Sequence, residues 1–295
     1  EAFAEIPTWH STVKRVIPVA IREWRQKVWQ TWNNGTWHKF IQTLTQQNYD
    51  KVIDAQGLIK SAVLTYKARG LRCGLDRHSA REPLAALAYQ QCYAIPKEQH
   101  AITRIRQLFA NVLNYPQPNE LPDYGIASYF KPQVTQSNVI FLHGTTWFTK
   151  HWPDEYWIAL AQHVIASGLT VRLPWGNLQE YARATKIAAT HPSISLIPKS
   201  NLQGIATALA QTQAVVGVDT GLSHLAAALA VPSVTLYGAT QPAWTGTYGS
   251  KQTHLLANFP CAPCLRKQCN LSNNSQACYE DLSVEKVWKA LQKLL

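Results

Sequence analysis

Beyond residue 138 short apolar runs alternate with longer stretches whose apolar positions recur every three to four residues. "NVIFLH" (138–143), "LTVRL" (169–173), "SISLI" (193–197) and the β-branched Val215, Val216 and Val218 read as strands. Pro153 to Ser167, Leu178 to Ala189, Leu202 to Thr212 and Leu222 to Leu229 read as helices, the last stopped by Pro232 and followed by a strand from Val234 to Tyr237. Within 153–167, Trp157, Leu160, Ala161 and Val164 fall at i, i+3, i+4 and i+7, and Pro153 suits the first turn. Strict alternation of strand and helix predicts a doubly wound parallel sheet. The first half is less regular: "RVIPV" (15–19) and "DKVID" (50–54) read as strands, Gly57 to Ala68 and Glu98 to Leu113 as helices. "YPQPNELPDYG" (115–125), a short β segment and "KPQVTQS" (131–137) separate the halves. The expectation is an α/β chain of two Rossmann-like domains facing across a cleft. The first spans 1–135 and the second 136–282, and a closing helix over 283–295 packs back towards the first.

Ligands of open parallel sheets lie beyond the carboxyl ends of the strands. Three such ends are polar here. Gly144-Thr145-Thr146, with Lys150 four residues on, follows the first strand of the second half; Pro174-Trp175-Gly176 and then Glu180 follow the next. Asp219-Thr220-Gly221 opens a helix with His224 in its first turn. An abrupt strand-to-helix turn leaves the first helical N–H groups unpaired and adds the positive end of the helix dipole, which suits an anion. Hydroxyls, a lysine and glycine-eased turns can hold a pyrophosphate, and a carboxylate such as Glu180 suits the paired hydroxyls of a ribose. Taken singly, Asp219 or Thr220 simply caps the helix, Lys150 is a solvated surface residue and His224 a hydrogen-bonded histidine. Taken together they point to a nucleotide. Neither G-x-x-x-x-G-K-[ST] nor a G-x-G-x-x-G after a strand occurs, which argues against P-loop and standard dinucleotide sites.

Charge and cysteines narrow the class. The 295 residues carry a formal net charge of +11, with 17 Lys/Arg against 10 Asp/Glu in 1–135 and 11 against 7 in the remainder. The first half therefore expects an acidic partner. No apolar run approaches the ~20 residues a spanning helix needs, and no charged-then-apolar leader opens the chain. The expectation is a soluble, non-exported protein. The chain starts at Glu1, contains no Met, and is read as lacking its natural start. Cys261, Cys264, Cys269 and Cys278 form C-x2-C-x4-C-x8-C, open to free thiols, reversible disulfides or a metal, although the spacing fits two zinc knuckles poorly.

Six segments carry a family resemblance. "FLHGTTWFTKHWP" (141–153), "LPWGNLQE" (173–180) and "VDTGLSHLAAAL" (218–229) resemble the donor-site segments of the ADP-heptose heptosyltransferases of lipopolysaccharide core synthesis. "DAQGLIKSA" (54–62), "SAREPLA" (79–85) and "EQHAITRIRQLFA" (98–110) resemble the type I members, which add the first heptose to the Kdo sugars of lipid A. The resemblance implies a GT-B glycosyltransferase that moves heptose with inversion from ADP-heptose to Kdo2-lipid A, with no cofactor and no metal. It places the diphosphate on Thr145, Thr146, Lys150 and the Thr220-Gly221 turn, and the ribose on Glu180. Asp219 stands near the heptose or orders the turn, and His224 supports the same helix start. Acceptor candidates are Lys60, Arg81, His100 and Arg104, the last two on one helix face at i, i+4. The implied location is cytoplasmic, peripheral on the inner face of the inner membrane, with no nucleic-acid partner.

Trp24, Trp29, Trp32 and Trp37 among basic residues suit a headgroup interface, yet the same spacing packs a helix onto the core, which takes the larger share. The family's proposed base lies on a Gly-Asp loop upstream of Glu1, so the resemblance implies no catalytic base in this chain, a missing first strand and only trace transfer. The cysteine cluster departs from typical type I enzymes and keeps a sister transferase adding a later heptose in view. A basic zinc or nucleic-acid-binding protein is the alternative of another class.

Overall fold

Residues 3–27, 29, 35–130, 137–271 and 276–295 are described by the computed structural model. Trp32 lies outside them, as does the 131–136 stretch at the expected domain boundary. The chain divides into two units, one of residues 1–8 and 13–120, the other of residues 9–12 and 121–295. The division falls before residue 135 because residues 121–130 pack with the second half. Ile126 is buried, Phe130 meets the Trp9 ring edge-on at 4.9 Å, and Tyr124 donates its hydroxyl to the Tyr248 carbonyl at 3.1 Å. The β segment expected there is a 3-10 turn, Ala127–Phe130.

The first unit contains α1 (Ile21–Gln26), α2 (Thr36–Leu44), β1 (Asn48–Asp54), α3 (Ile59–Lys67), β2 (Arg69–Leu75), β3 (Gln91–Tyr93) and α4 (Ala101–Leu113). The three strands run parallel in the order β1-β2-β3. "RVIPV" forms no strand, since Pro18 has no N–H to give a ladder. Leu75, Ala80, Ile95, Leu108 and Val112 close the core under the sheet. At the carboxyl end of β1 the buried Asp54 accepts the N–H groups of Gln56 (2.8 Å) and Gly57 (3.2 Å) and the Tyr89 hydroxyl (2.7 Å). Gly57 adopts φ +62, which a side chain would strain.

The second unit continues with β4 (Asn138–Leu142), α5 (Asp154–Ala166), β5 (Thr170–Leu173), α6 (Leu178–Ala188), β6 (Ile194–Leu196), α7 (Leu202–Ala210), β7 (Ala214–Val218), α8 (Gly221–Ala228), β8 (Ser233–Tyr237), α9 (Pro242–Thr245), β9 (Gln252–Leu256) and α10 (Val284–Gln292). Its six strands are all parallel in the order β6-β5-β4-β7-β8-β9. β4, β7 and β8 are buried at every position, as a parallel sheet covered on both faces requires. The order reverses between β4 and β7, where Leu142 stands opposite Gly217. Crossovers leave these two strands in opposite directions, opening a crevice beyond their carboxyl ends. α10 packs within the second unit. Val284, Val287 and Leu291 enter the core of the large sheet, and Trp288 stacks on His163 of α5 at 5.7 Å.

Candidate functional site

The switch point of the large sheet brings the β4 and β7 turns side by side. Lys150, at the end of the β4 turn, donates to Asp219 Oδ2 at 2.7 Å, and its ammonium lies 4.6 Å from the Trp147 ring centroid. Thr240, just after β8, donates its hydroxyl to the same oxygen at 2.7 Å, and His224 Nε2 stands 3.7 Å from Oδ1. Burial alone would raise the Asp219 carboxyl. The contacts from His224, Lys150 and Thr240 overcome it and hold the group at about 2. Asp219 is therefore a carboxylate at neutral pH, fixed in direction by these contacts.

Beside it, Thr220 enters α8 without capping it through its side chain, so the first N–H groups of the helix face outward. A Cβ built on Gly221 would meet no atom within 4 Å, so the helix start is open. Ser223 turns inward and donates to the Val218 carbonyl at 2.7 Å. The β5 end joins the same region through Glu180. Its Oε2 accepts the Gly176 N–H at 2.7 Å, and a Cβ on Gly144 would fall 2.8 Å from its Cδ. Thr145 is half-buried and Thr146 exposed in the turn between. The donor residues expected from the sequence thus share one end of one sheet.

Sequence reasoning missed what holds the β4 turn in place. Arg183 of α6 donates Nε to Asp154 Oδ1 at 2.6 Å and Nη1 to the His143 carbonyl at 3.2 Å, and Nη1 also contacts His151 Nδ1. One guanidinium therefore clamps both ends of the turn that carries Thr145, Thr146 and Lys150. Burial first, and the Arg183 charge second, lower both His143 and His151 to about 4. Both rings are neutral. His143 Nε2, 3.1 Å from the Pro174 carbonyl, must carry that ring's proton, and His151 Nδ1 must be the acceptor for Arg183. Thr240 follows a strand end, which could mark the residue but not its bond to Asp219.

The cysteine segment braces the same turn from outside. Thr149 donates to the Arg266 carbonyl, Gln276 to the Phe148 carbonyl at 2.8 Å, and the Leu265 N–H to the Ala239 carbonyl at 2.8 Å. Cys261, Cys264, Cys269 and Cys278 line one small pocket. Burial, then the other three sulfurs, push Cys278 up to about 11. Among the described residues no group of three His, Cys, Asp or Glu is arranged to hold a metal.

In the first unit, Arg81, Lys97 and Arg104 line a cleft of about 460 Å³ beyond the ends of β1 and β2, with Gln56 and Ser79. Arg104 donates to the carbonyls of Pro96 (2.9 Å) and Ser79 (2.7 Å). Two of the four acceptor candidates meet there, joined by Lys97. His100 instead caps α4, its Nδ1 accepting the Ile102 N–H at 3.2 Å, and Lys60 lies exposed on α3 outside the lining. Asp54 is committed to its turn and to Tyr89. Of the tryptophans, Trp24 packs edge-on against Trp37 (5.9 Å) and Phe40 (5.3 Å), whereas Trp29 is exposed.

Comparison with known proteins gives this geometry its relatives. The family model for glycosyltransferase family 9 (heptosyltransferase) matches residues 37–274. Lipopolysaccharide heptosyltransferase 1 of Pseudomonas aeruginosa is 47% identical over 100% of this chain and 87% of that protein. The Escherichia coli K12 protein of the same name is 45% identical over 96% of this chain and 88% of its own length. Among solved structures, E. coli heptosyltransferase WaaC with ADP matches with a TM-score of 0.89 at 41% identity, covering 100% of this chain and 88% of the other. The same enzyme with ADP-2-deoxy-2-fluoro heptose gives 0.86 at 40% identity, with the same coverage. A match that spans most of the sequence, at this identity and over a six-stranded sheet with its polar switch point intact, leaves one conclusion: the chain belongs to glycosyltransferase family 9, the heptosyltransferases, and has their GT-B fold.

Proposed function

We propose that this enzyme transfers L-glycero-D-manno-heptose with inversion from ADP-heptose to a Kdo sugar of Kdo2-lipid A. The observation that carries the donor half is Lys150, held between the Asp219 carboxylate and the Trp147 ring beside the open start of α8. An acceptor hydroxyl attacks the anomeric carbon as its bond to the diphosphate oxygen breaks, the hydroxyl proton passes to water, and negative charge grows on departing ADP. Lys150 and the N–H groups of Gly221 and Leu222 lie where that charge develops, and fixed donors act most strongly there. Glu180 takes the ribose. Asp219 orients Lys150 and the sugar rather than acting as base. The basic cleft of Arg81, Lys97 and Arg104 suits the carboxylates and phosphates of the acceptor. We place the enzyme at the inner face of the cytoplasmic membrane, where such an acceptor lies.

Incubation with ADP-heptose and Kdo2-lipid A, read by mass spectrometry, tests the assignment. One heptose added to this acceptor is the expected result, at a slow rate because no residue here is assigned as base. Addition only to an already heptosylated core would move the enzyme to a later step, and absence of ADP binding would overturn the donor site.

A further inference from the structure

Soluble surfaces usually scatter their large apolar side chains singly. The first unit gathers five. α3 presents Ile59, Val63 and Tyr66 at i, i+4 and i+7, exposed by 46%, 44% and 59%. The neighbouring 3-10 helix Pro83–Ala88 presents Leu84 and Leu87, exposed by 66% and 83%. The two elements are joined through the buried Ala62 and Ala85, and Glu82 accepts the Ile59 N–H at 2.6 Å. The five side chains therefore form one continuous face.

Its border is mostly basic, with Glu82 the carboxylate at the junction of the two elements. At 100° per residue, Lys60 and Lys67 fall together on the flank of α3 opposite Ala62, away from the 3-10 helix. Arg72 lies 5.2 Å over the Tyr66 ring and donates to the Ala88 carbonyl at 2.9 Å, so it stands at the junction of the two elements. From residue 59 to 88 the chain has Lys60, Lys67, Arg69, Arg72, Arg77 and Arg81 against Asp76 and Glu82.

We infer that this face docks the first unit on an anionic lipid bilayer. Leucines and a tyrosine enter the headgroup layer, and the surrounding Lys and Arg side chains meet the phosphates, their stems lying along the apolar surface. A second copy of the chain fits less well, because a twofold contact would set one cationic border against another. The inference rests on the proposed reading of a lipid-borne acceptor and adds the surface through which the enzyme reaches it.

Flotation with vesicles of neutral phosphatidylcholine, and of phosphatidylcholine with phosphatidylglycerol, tests this with neither donor nor acceptor present. The expected result is binding to the anionic vesicles only. Leu84→Ser with Leu87→Ser, and separately Lys67→Glu, each lower the partition coefficient about tenfold or more. ADP affinity and the thermal midpoint stay unchanged, which shows that the variants are folded. Equal flotation of wild type and the leucine variant overturns the inference. So does equal binding to neutral vesicles, or a lipid-free dimer that the leucine variant dissociates. Transfer to a water-soluble, deacylated Kdo acceptor separates the two readings: its absence sinks the proposed reaction, whereas its presence without flotation sinks only the docking face.

Discussion

Lys150→Ala removes the ammonium 2.7 Å from Asp219 Oδ2. Two unit charges at that separation attract by about 6 kcal/mol at an effective dielectric of about 20, and the cost of taking both out of water offsets most of it. The larger consequence is the carboxylate left behind. Asp219 is 7% exposed and would keep only Thr240 and His224. A buried charge stripped of its partner costs about 3–5 kcal/mol, and the two surviving contacts put the expected loss of stability near the lower end, about 2–3 kcal/mol at pH 7. ADP affinity falls by about 2 kcal/mol, roughly thirtyfold in Kd, as for a lost charge-assisted hydrogen bond. Calorimetric titration at constant ionic strength reads the affinity and urea denaturation reads the stability. Asp219→Asn separates two roles for the lysine. If Lys150 touches the diphosphate, its removal costs the same thirtyfold in the Asp219→Asn background; if it only neutralises Asp219, the cost vanishes there. Equal ADP affinity in wild type and Lys150→Ala, or a cost that vanishes, would refute direct contact.

Two further predictions concern the supports of the site. His143 and His151 are held at about 4 against an ordinary 6.5, so the unfolded chain takes up their protons first. Stability from this source is complete above about pH 6.5 and is lost as pH falls towards 4, whereas the Asp219 contribution persists until pH falls below about 4. His151→Asn, whose side-chain carbonyl can still accept from Arg183, should flatten the decline between pH 6.5 and 4 in urea denaturation; an unchanged slope would sink the reasoning. Gly221→Ala adds a methyl where no protein atom lies within 4 Å, so the thermal midpoint should hold or rise slightly. ADP Kd should rise about tenfold because that methyl crowds the helix N–H groups, and undiminished affinity would remove the α8 start from the site.

The second unit was largely legible because burial on both faces writes its strands as apolar runs and its helices as periodic ones. "NVIFLH", "LTVRL" and Val215 to Val218 each mark a strand of the sheet. Reading the residues after each strand picked out Lys150, Glu180 and Asp219 as candidates, which the sheet brings to one end. β9, "QTHLL", escaped because it lies at the sheet edge, half-buried and with polar residues inside it. β2, "RGLRCGL", escaped because Gly and Arg interrupt its pattern, and "RVIPV" misled because apolar content alone does not supply ladder donors. The Arg183 clamp and the Thr240 contact were invisible for a different reason. They join residues 40 and 21 positions apart through side chains whose direction only the packed sheet sets.

The brace on the β4 turn has a consequence for the order in which the molecule can assemble. Thr149 meets Arg266, Phe148 meets Gln276 and Trp152 donates its indole N–H to Leu282, partners 117, 128 and 130 positions later in the chain. Closing such loops is entropically slow, so contacts of this span form late. Lys150 therefore sits on a segment held by residues made more than a hundred positions later. A ribosome-bound chain that has already folded β4 to β8 still lacks the brace, which forms only once Arg266, Gln276 and Leu282 have emerged.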